Sequence, residues 1–371
     1  MRVLVVTMGI APESGGPTRS VKGLCRALAA QGADITLLVL HGNHEFDDPG
    51  GVKVVRGLSH LTDVNGFDIV HLQGLWDPLL HQIAKMCIKV GTPYVFSPRG
   101  MLDPWALSIK KWKKRLAMFL YQRGDLVRAA AFHATAELEA SNIRAQGLKQ
   151  PIFIVPNGVE VPEDDVARNQ VEVKGRGRQR TAIFLSRLHP GKGLLILAEA
   201  WAMVKPRGWV MRVIGPDSYG HKAEVLAKLD ALGISHADVS ACVQSSNSSW
   251  QFVDMVDDKI KWLEYAAAEM LVHPSVSENF GITIAEGLYA GLPVICTDGT
   301  PWTDVVERKC GWYIKANSVS ALTEALREAT TSDELVEMGR RGRKFIEERY
   351  TWRTIGNRMI RSYQEVLNGR A

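Results

Sequence analysis

Apolar runs of strand length alternate with helical repeats along this chain, and the alternation continues through both halves of it. Residues 3–7 are mostly apolar, residues 21–28 carry apolar side chains at helical spacing, and 35–40 is the next apolar run. Consecutive apolar strands separated by helices predict a parallel sheet that helices cover on both faces. The other strands are predicted at 69–72, 94–96, 152–155, 182–185, 211–214, 270–273 and 294–297.

The length and composition allow two such sheets. The chain has 371 residues, of which 46% are hydrophobic, and this is enough for two cores of ordinary size. Between residues 156 and 180 the sequence becomes rich in proline, glycine and charge, which indicates an interdomain linker. We therefore predict an α/β protein whose first domain spans 1–160 and whose second domain spans 161–350.

The cysteines and the apolar segments indicate in which cellular compartment the protein is found. Five cysteines are scattered without a CxxC pair, which is typical of reduced thiols in the cytosol rather than of a disulfide framework or a zinc site. The apolar run at the amino terminus is too short for a signal peptide, and no apolar stretch approaches the roughly 20 residues of a membrane span. We expect a cytoplasmic protein.

Two glutamates, Glu278 and Glu286, stand on either side of a predicted helix start at Gly281. A helix start offers four unpaired N–H groups and the positive end of the helix dipole, which together suit a pyrophosphate. Glu286 lies about 7 Å along the helix axis from Gly281, so the two acids would bracket an elongated ligand. A glycosidase needs its carboxylate pair roughly 5 Å apart if it is retaining, or roughly 6.5 to 9.5 Å apart if it is inverting, and the spacing with Glu278 further back on the loop argues against both. The alternative is that both glutamates are ordinary acids of a helix.

A glycine-rich loop follows the first predicted strand. Gly15 and Gly16 lie at the carboxyl end of a parallel strand, where such sheets bind ligands, and glycines let the backbone come close to an anion. The loop is not GxGxxG, which argues against a dinucleotide-dependent dehydrogenase. From the residues alone, a plain tight turn is an equal alternative.

The run HPSVSENFGITIAEGLYAGLPVICTD, residues 273–298, resembles the signature of the retaining glycosyltransferases of family four. The resemblance covers nearly the whole chain. It implies the GT-B fold, with two facing Rossmann-like domains, parallel sheets and the active site in the interdomain cleft. The first domain would bind the acceptor, the second would bind the nucleotide sugar, and a helix over 351–371 would cross back towards the first domain.

The same resemblance implies roles for individual residues. Glu278 would contact the donor sugar and Glu286 would hold the ribose hydroxyls. Gly15 and Gly16 would lie against the donor phosphates or the acceptor. The diphosphate would be held by the backbone amides of four residues: Asn279, Phe280, Gly281 and Ile282.

Two cations follow the strand 182–185 on one loop. Arg187 and Lys192 can neutralise a diphosphate leaving group there, and they match the family's arginine and lysine positions. The resemblance implies that both are catalytic and that they replace a metal, so we expect no metal and no cofactor. Arg99 stands where many relatives have a histidine near the sugar. It binds an acidic group of the substrate or pairs with a carboxylate, and the sequence favours neither.

A basic segment, Lys110–Arg115, surrounds Trp112 and is followed by further apolar residues. A basic amphipathic helix of this kind can lie on anionic lipid, whereas the alternative is a solvated face of a core helix. No nucleic-acid-binding module accompanies it, so we expect no nucleic-acid partner.

The resemblance implies a retaining hexosyltransferase, and the patterns place it in the cytoplasm or on the inner face of the cell membrane as a peripheral protein. It would move a hexose from a nucleotide diphosphate sugar to a saccharide or lipid-linked saccharide in surface polysaccharide or glycolipid synthesis. We favour a UDP-sugar over a GDP-sugar as the donor. The alternatives are a nucleotide-sugar epimerase or hydrolase on the same fold and an inert sugar-binding partner.

Overall fold

The computed structural model describes residues 1–11, 16–46, 50–160, 179–217, 219–242 and 248–369. The chain divides into two compact units. The first comprises Met1–Gly158 together with Tyr350–Ala371, and the second comprises Val159–Arg349. Gly15 and most of the predicted linker lie outside the described residues, whereas Gly16 begins the first helix.

The first unit is built on a parallel sheet of seven described strands in the order β3-β2-β1-β4-β5-β6-β7. The strands are β1 (Arg2–Thr7), β2 (Asp34–Val39), β3 (Lys53–Arg56), β4 (Ile69–Gln73), β5 (Tyr94–Ser97), β6 (Ala131–Ala134) and β7 (Ile152–Ile154). The helices are α1 (Gly16–Ala30), α2 (Pro78–Val90), α3 (Pro104–Ser108), α4 (Lys111–Ala117), α5 (Arg123–Arg128) and α6 (Glu137–Ala145). A π-helical turn, Met118–Gln122, joins α4 to α5.

The second unit repeats this plan with the strand order β10-β11-β9-β8-β12-β13-β14. Its strands are β8 (Arg180–Leu185), β9 (Trp209–Ile214), β10 (His236–Asp238), β11 (Trp250–Val253), β12 (Met270–His273), β13 (Val294–Thr297) and β14 (Gly311–Ile314). Its helices are α7 (Leu194–Val204), α8 (His221–Ala231), α9 (Asp258–Ala267), α10 (Ile282–Tyr289), α11 (Asp304–Glu307), α12 (Val319–Thr331) and α13 (Leu335–Arg349). The predicted α/β class with parallel sheets is confirmed.

The last helix, α14 (Trp352–Leu367), packs in the first unit. The Trp352 ring fills the space that side chains at Gly23 and Gly158 would need, because a Cβ would come within 2.2 Å of the ring at Gly23 and 2.4 Å at Gly158. Further along, Tyr363 Oη lies 2.6 Å from Nδ1 of the buried His71 on β4. The core of the first unit therefore includes the carboxyl-terminal helix.

The strand orders locate the places where ligands bind in such sheets. In the second unit, β8 pairs with β9 on one side and with β12 on the other, so successive connections leave in opposite directions there. Open α/β sheets bind ligands outside the carboxyl ends of the strands at this switch point. No helix in the described part of the chain is long and apolar enough to cross a membrane.

Candidate active site

Two loops meet at the switch point of the second unit, one after β8 and one after β12. Val276 N donates to Gly191 O at 2.9 Å. Gly193 has a left-handed backbone with φ +75°, and a Cβ there would lie 2.3 Å from Pro274 O. Only glycine combines this backbone with so close an approach, so the sequence lets the two loops lie directly against each other.

The contact between these loops brings Lys192 to Glu278. Glu278 Oε1 accepts hydrogen bonds from Lys192 Nζ, from His273 Nε2 at 2.9 Å and from Ser275 Oγ at 2.9 Å. No hydrogen bond from the described residues reaches Oε2. One carboxylate oxygen is thus fixed by protein, while the other can accept hydrogen bonds from a ligand.

The surroundings of Glu278 keep it ionised. Burial raises its pKa, but the Lys192 charge and the hydrogen bond from His273 outweigh burial and hold the pKa well below its usual range. A glycosidase needs one carboxylic acid that stays protonated to act as a general acid. Glu278 is unsuited to that role and suited to a permanent negative charge.

The start of α10 offers backbone donors beside Glu278. Gly281 precedes the helix with φ +77°, and the indole of Trp302 donates to Phe280 O at 2.5 Å, which fixes the turn. Ile284 N donates back to Gly281 O at 2.9 Å. A helix start was expected to offer four unpaired backbone N–H groups, and this bond reduces them to three. At the start of α10, the N–H groups without a partner among the described residues are those of Gly281, Ile282 and Thr283.

Glu286 lies on α10 as predicted, but its carboxylate is buried and already bonded. Lys261 Nζ lies 2.7 Å from Glu286 Oε1, and Tyr265 Oη donates to Oε2 at 3.2 Å. Lys261 Nζ also lies 3.0 Å from Asp258 Oδ1. Both Lys261 and Tyr265 come from α9, so this helix holds the second glutamate in place.

The two predicted cations have different surroundings. Lys192 is tied to Glu278, whereas the exposed guanidinium of Arg187 lies over the Tyr219 ring, 6.0 Å from its centroid. No carboxylate of the described residues pairs with Arg187. Arg187 is therefore the cation that remains available to a ligand.

Four residues of this site were not found from the sequence: His273, Ser275, Lys261 and Tyr265. His273 and Ser275 flank Pro274 in the HPS triplet at the end of β12, where a polar pair after an apolar strand is a usable signal. Lys261 and Tyr265 are one helical turn apart and face Glu286 from another helix. Nothing in the local sequence predicts that contact.

Arg99 lies in the first unit, at the end of β5. Its Nε donates to Gln73 Oε1 at 2.6 Å and its Nη1 donates to Asn157 Oδ1 at 2.9 Å. Of the two open alternatives, direct pairing with a carboxylate does not occur among the described residues. Arg99 thus remains a candidate for binding an acidic group.

Family models match both halves of the chain. Residues 15–158 match the "Glycosyl transferase 4-like domain" and residues 179–332 match "Glycosyl transferases group 1". The chain is a group 1 glycosyltransferase of family four. The resemblance stated from residues 273–298 is thereby confirmed for both halves of the enzyme.

Curated relatives of this glycosyltransferase are distant but span its length. A phosphatidyl-myo-inositol mannosyltransferase of Mycobacterium leprae is 25% identical and covers 95% of this chain and 93% of its own length. A GDP-mannose:cellobiosyl-diphosphopolyprenol alpha-mannosyltransferase of Komagataeibacter xylinus is 22% identical and covers 100% of this chain and 94% of its own.

Solved structures show the same fold. Anabaena HepE, solved in complex with UDP and glucose, superposes with a TM-score of 0.76 at 16% identity, covering 98% of this chain and 100% of that one. The glycosyltransferase has the GT-B fold, as predicted.

Proposed function

We propose that this glycosyltransferase moves a hexose, with retention, from a nucleotide diphosphate sugar to a saccharide or lipid-linked saccharide. The observation that carries the proposal is the joint placement of an ionised Glu278 and three backbone amides at the start of α10 that are unpaired in the described part of the chain. The free Oε2 of Glu278 suits the hydroxyls of a sugar, while unpaired amides at a helix start suit a diphosphate. Glu286 lies further along the same helix, and we keep it as the residue proposed to hold the ribose hydroxyls.

The chemistry proposed for this site needs no metal. When the sugar leaves, charge develops on the diphosphate, and Arg187 together with the helix start would stabilise it. Lys192 is neutralised by Glu278 in this structure, so its first role is to hold that carboxylate. Retention requires the acceptor to attack from the face that the diphosphate leaves, and the leaving phosphate can take the acceptor's proton.

The donor is the open part of the proposal. The curated relatives named above are mannosyltransferases, and one of them is named for GDP-mannose, whereas the structural relative was solved with UDP and glucose. The preference for UDP stated from the sequence stays a prediction. GDP-mannose is the competing donor.

An exposed surface of the first unit supports a lipid-linked acceptor. Six large apolar side chains on or next to α3, α4 and the π-helical turn are exposed, with Trp112 at 67% and Phe119 at 86%: Trp105, Ile109, Trp112, Leu116, Phe119 and Leu120. The cations of Lys110–Arg115 lie among them. Apolar side chains surrounded by cations suit an anionic membrane. We call this set the membrane-facing surface and propose that it docks the enzyme on the inner face of the cell membrane.

A donor screen tests the proposed function. The protein is incubated with UDP-, GDP- and ADP-sugars and a lipid extract, and calorimetry measures the affinity for each nucleoside diphosphate. We expect binding of one diphosphate, transfer without an added metal, and a product whose anomeric proton shows the configuration of the donor. Loss of activity in EDTA that magnesium or manganese restores would contradict the metal-free mechanism. Release of a free or epimerised sugar as the main product, even with acceptor present, would favour the hydrolase or epimerase.

A further inference from the structure

A second polar cluster lies in the first unit, at the carboxyl ends of β4 and β5. Gln73 and Ser97 are the last residues of these strands and are partners in the sheet register. Arg99 follows with a left-handed backbone, φ +56°. β1 pairs with β2 on one side and β4 on the other, so the strand order reverses beside Gln73. The cluster therefore lies at the switch point of this sheet, where ligands bind in open α/β folds.

The hydrogen bonds of Arg99 determine how its neighbours are oriented. Its Nε and Nη1 donate to Gln73 Oε1 and Asn157 Oδ1. Because a guanidinium has only donors, both side-chain amides must turn their oxygens towards it. The NH2 group of Gln73 is thereby left as a donor for something other than Arg99.

Three buried polar atoms of the cluster have no hydrogen-bond partner in the described part of the chain: Arg99 Nη2, Gln73 Nε2 and Ser97 Oγ. Buried polar groups in native proteins are nearly always paired, so three unpaired ones together indicate an absent partner. Two of them can only donate, and the serine hydroxyl can donate as well. The absent partner must therefore supply acceptors.

Within the described ranges, no carboxylate is in direct contact with the guanidinium of Arg99. Glu139 belongs to the same network, but its Oε1 accepts from Gly100 N at 2.8 Å and its Oε2 accepts from Thr135 N at 2.8 Å. Glu139 thus fixes the turn that carries Arg99 and leaves the guanidinium edge at Nη2 unbonded. A guanidinium remains charged at neutral pH, so the cluster favours an acceptor that is an anion.

We propose that Arg99, Gln73 and Ser97 form a subsite for an oxyanion carried by the acceptor, a phosphate or a carboxylate. The inference rests on the proposed function, because it gives the acceptor to the first unit. The planar guanidinium and its amide neighbour can bind two oxygens of one oxyanion. A neutral saccharide would leave Arg99 with the carboxylate of Glu139, which does not contact it, as its nearby counter-charge.

The test measures anion binding while the donor site is filled. Wild-type enzyme is saturated with the nucleoside diphosphate that it prefers and is then titrated calorimetrically with inorganic pyrophosphate and, separately, with glucuronate. Filling the donor site first removes the competing diphosphate site at α10. We expect one of the two anions to bind, and the identity of that anion distinguishes a phosphate-bearing acceptor from a carboxylate-bearing one.

Three variants assign that binding to the subsite. Arg99→Gln should weaken it by about 10-fold to 100-fold, since it removes charge-assisted hydrogen bonds. Arg99→Lys keeps the charge but loses the planar guanidinium, so its affinity for the anion should lie between those of wild type and Arg99→Gln. Ser97→Ala removes one hydroxyl at little steric cost and should weaken binding by about 5-fold. Arg361→Gln, which removes an exposed cation of the same unit outside the cluster, is the matched control and should bind as wild type does.

The outcomes separate this inference from the proposed function. If wild-type enzyme filled with nucleotide binds neither anion, or if Arg99→Gln and Ser97→Ala both bind as tightly as wild type, the subsite is wrong. If wild-type enzyme binds no nucleoside diphosphate at all, the proposed function fails instead. The nucleotide affinity of each variant also shows whether it has folded, and Ser97→Ala decides the matter if Arg99→Gln does not fold.

Discussion

Glu278 depends on its neighbours for its charge, and this gives His273 a role as a positioning residue. His273→Leu removes a donor to Oε1, so the pKa of Glu278 should rise. If transfer needs the carboxylate, the acid limb of kcat/KM against pH should then move to higher pH. His273→Gln keeps a donor and should shift it less. His236→Gln is the control, and an unmoved acid limb in His273→Leu would contradict the role.

Glu286 and Lys261 form a buried pair, which complicates any test of the ribose contact. Glu286→Ala strands a buried lysine, and breaking such a pair costs about 3–5 kcal/mol. The double variant Lys261→Met with Glu286→Ala should recover most of the stability but not the nucleotide affinity. Urea unfolding and calorimetry with the nucleoside diphosphate measure the two effects. Wild-type nucleotide affinity in the double variant would show that Glu286 does not hold the ribose.

The sequence predicts a site residue only where that residue belongs to a local motif. Glu278, Glu286, Arg187 and Lys192 stand at fixed positions around strand ends and a helix start, so a linear pattern is enough to propose them. The contact of Lys261 with Glu286 joins residues 25 apart on two helices. Only the packing of α9 against α10 creates it, and packing has no linear signature.

At the scale of elements, Gly193 and Gly208 form a matched pair for testing the contact between the loops after β8 and β12. Both have φ +75°, but a Cβ at Gly193 would lie 2.3 Å from Pro274 O, whereas nothing lies within 4 Å at Gly208. Alanine at either site should lower the free energy of unfolding by about 1–2 kcal/mol, because it strains the left-handed backbone. Gly193→Ala should lower it further because of the close contact with Pro274 O. It should also lower kcat, because it separates Lys192 from Glu278. Equal melting temperatures for the two variants would contradict this.

The membrane-facing surface gives a second prediction at this scale. Each cation near an anionic membrane contributes about 1 kcal/mol, so changing Lys110, Lys111, Lys113 and Lys114 to Gln should abolish sedimentation with anionic vesicles at low salt. Changing Lys53, Lys85, Lys89 and Lys149 to Gln removes the same charge elsewhere on the first unit and is the control. Wild-type protein that ignores anionic vesicles at low salt would favour a soluble acceptor.

The sequence predicted the buried strands better than the others. β3 and β10 are only partly buried and neither carries a continuous apolar run, whereas β14 is apolar but partly buried throughout. β11 is buried, but Gln251 interrupts its apolar character and accepts from the buried Arg212 at 2.7 Å. From the sequence alone, a polar residue whose hydrogen bonds are made inside the core looks like a loop residue, because its partner is not known.

At the scale of the whole molecule, buried histidines should make the first unit sensitive to acid. Burial lowers the pKa of His133 from 6.5 to about 3, and its Nε2 donates to Val155 O. Below pH 6.5 the unfolded chain takes up a proton that the folded chain refuses, so stability is lost as the pH falls from 6.5 towards about 3.

His133→Gln keeps a donor but does not titrate. Between pH 7 and pH 5 the wild type should lose about 2 kcal/mol more than this variant. Urea unfolding followed by circular dichroism at both pH values measures the difference, with the exposed His44→Gln as control. Identical losses in wild type and His133→Gln would contradict the assignment.

The position of α14 has a consequence for synthesis on the ribosome. A chain made from its amino terminus presents residues 1–158 first, yet Trp352 and Tyr363, which complete the core of that unit, are made only after the second unit. The second unit, Val159–Arg349, contains its own described strands and can close before α14 is made. The unit that is translated first is therefore completed after the second one, and until α14 is made it presents an uncovered apolar groove to chaperones.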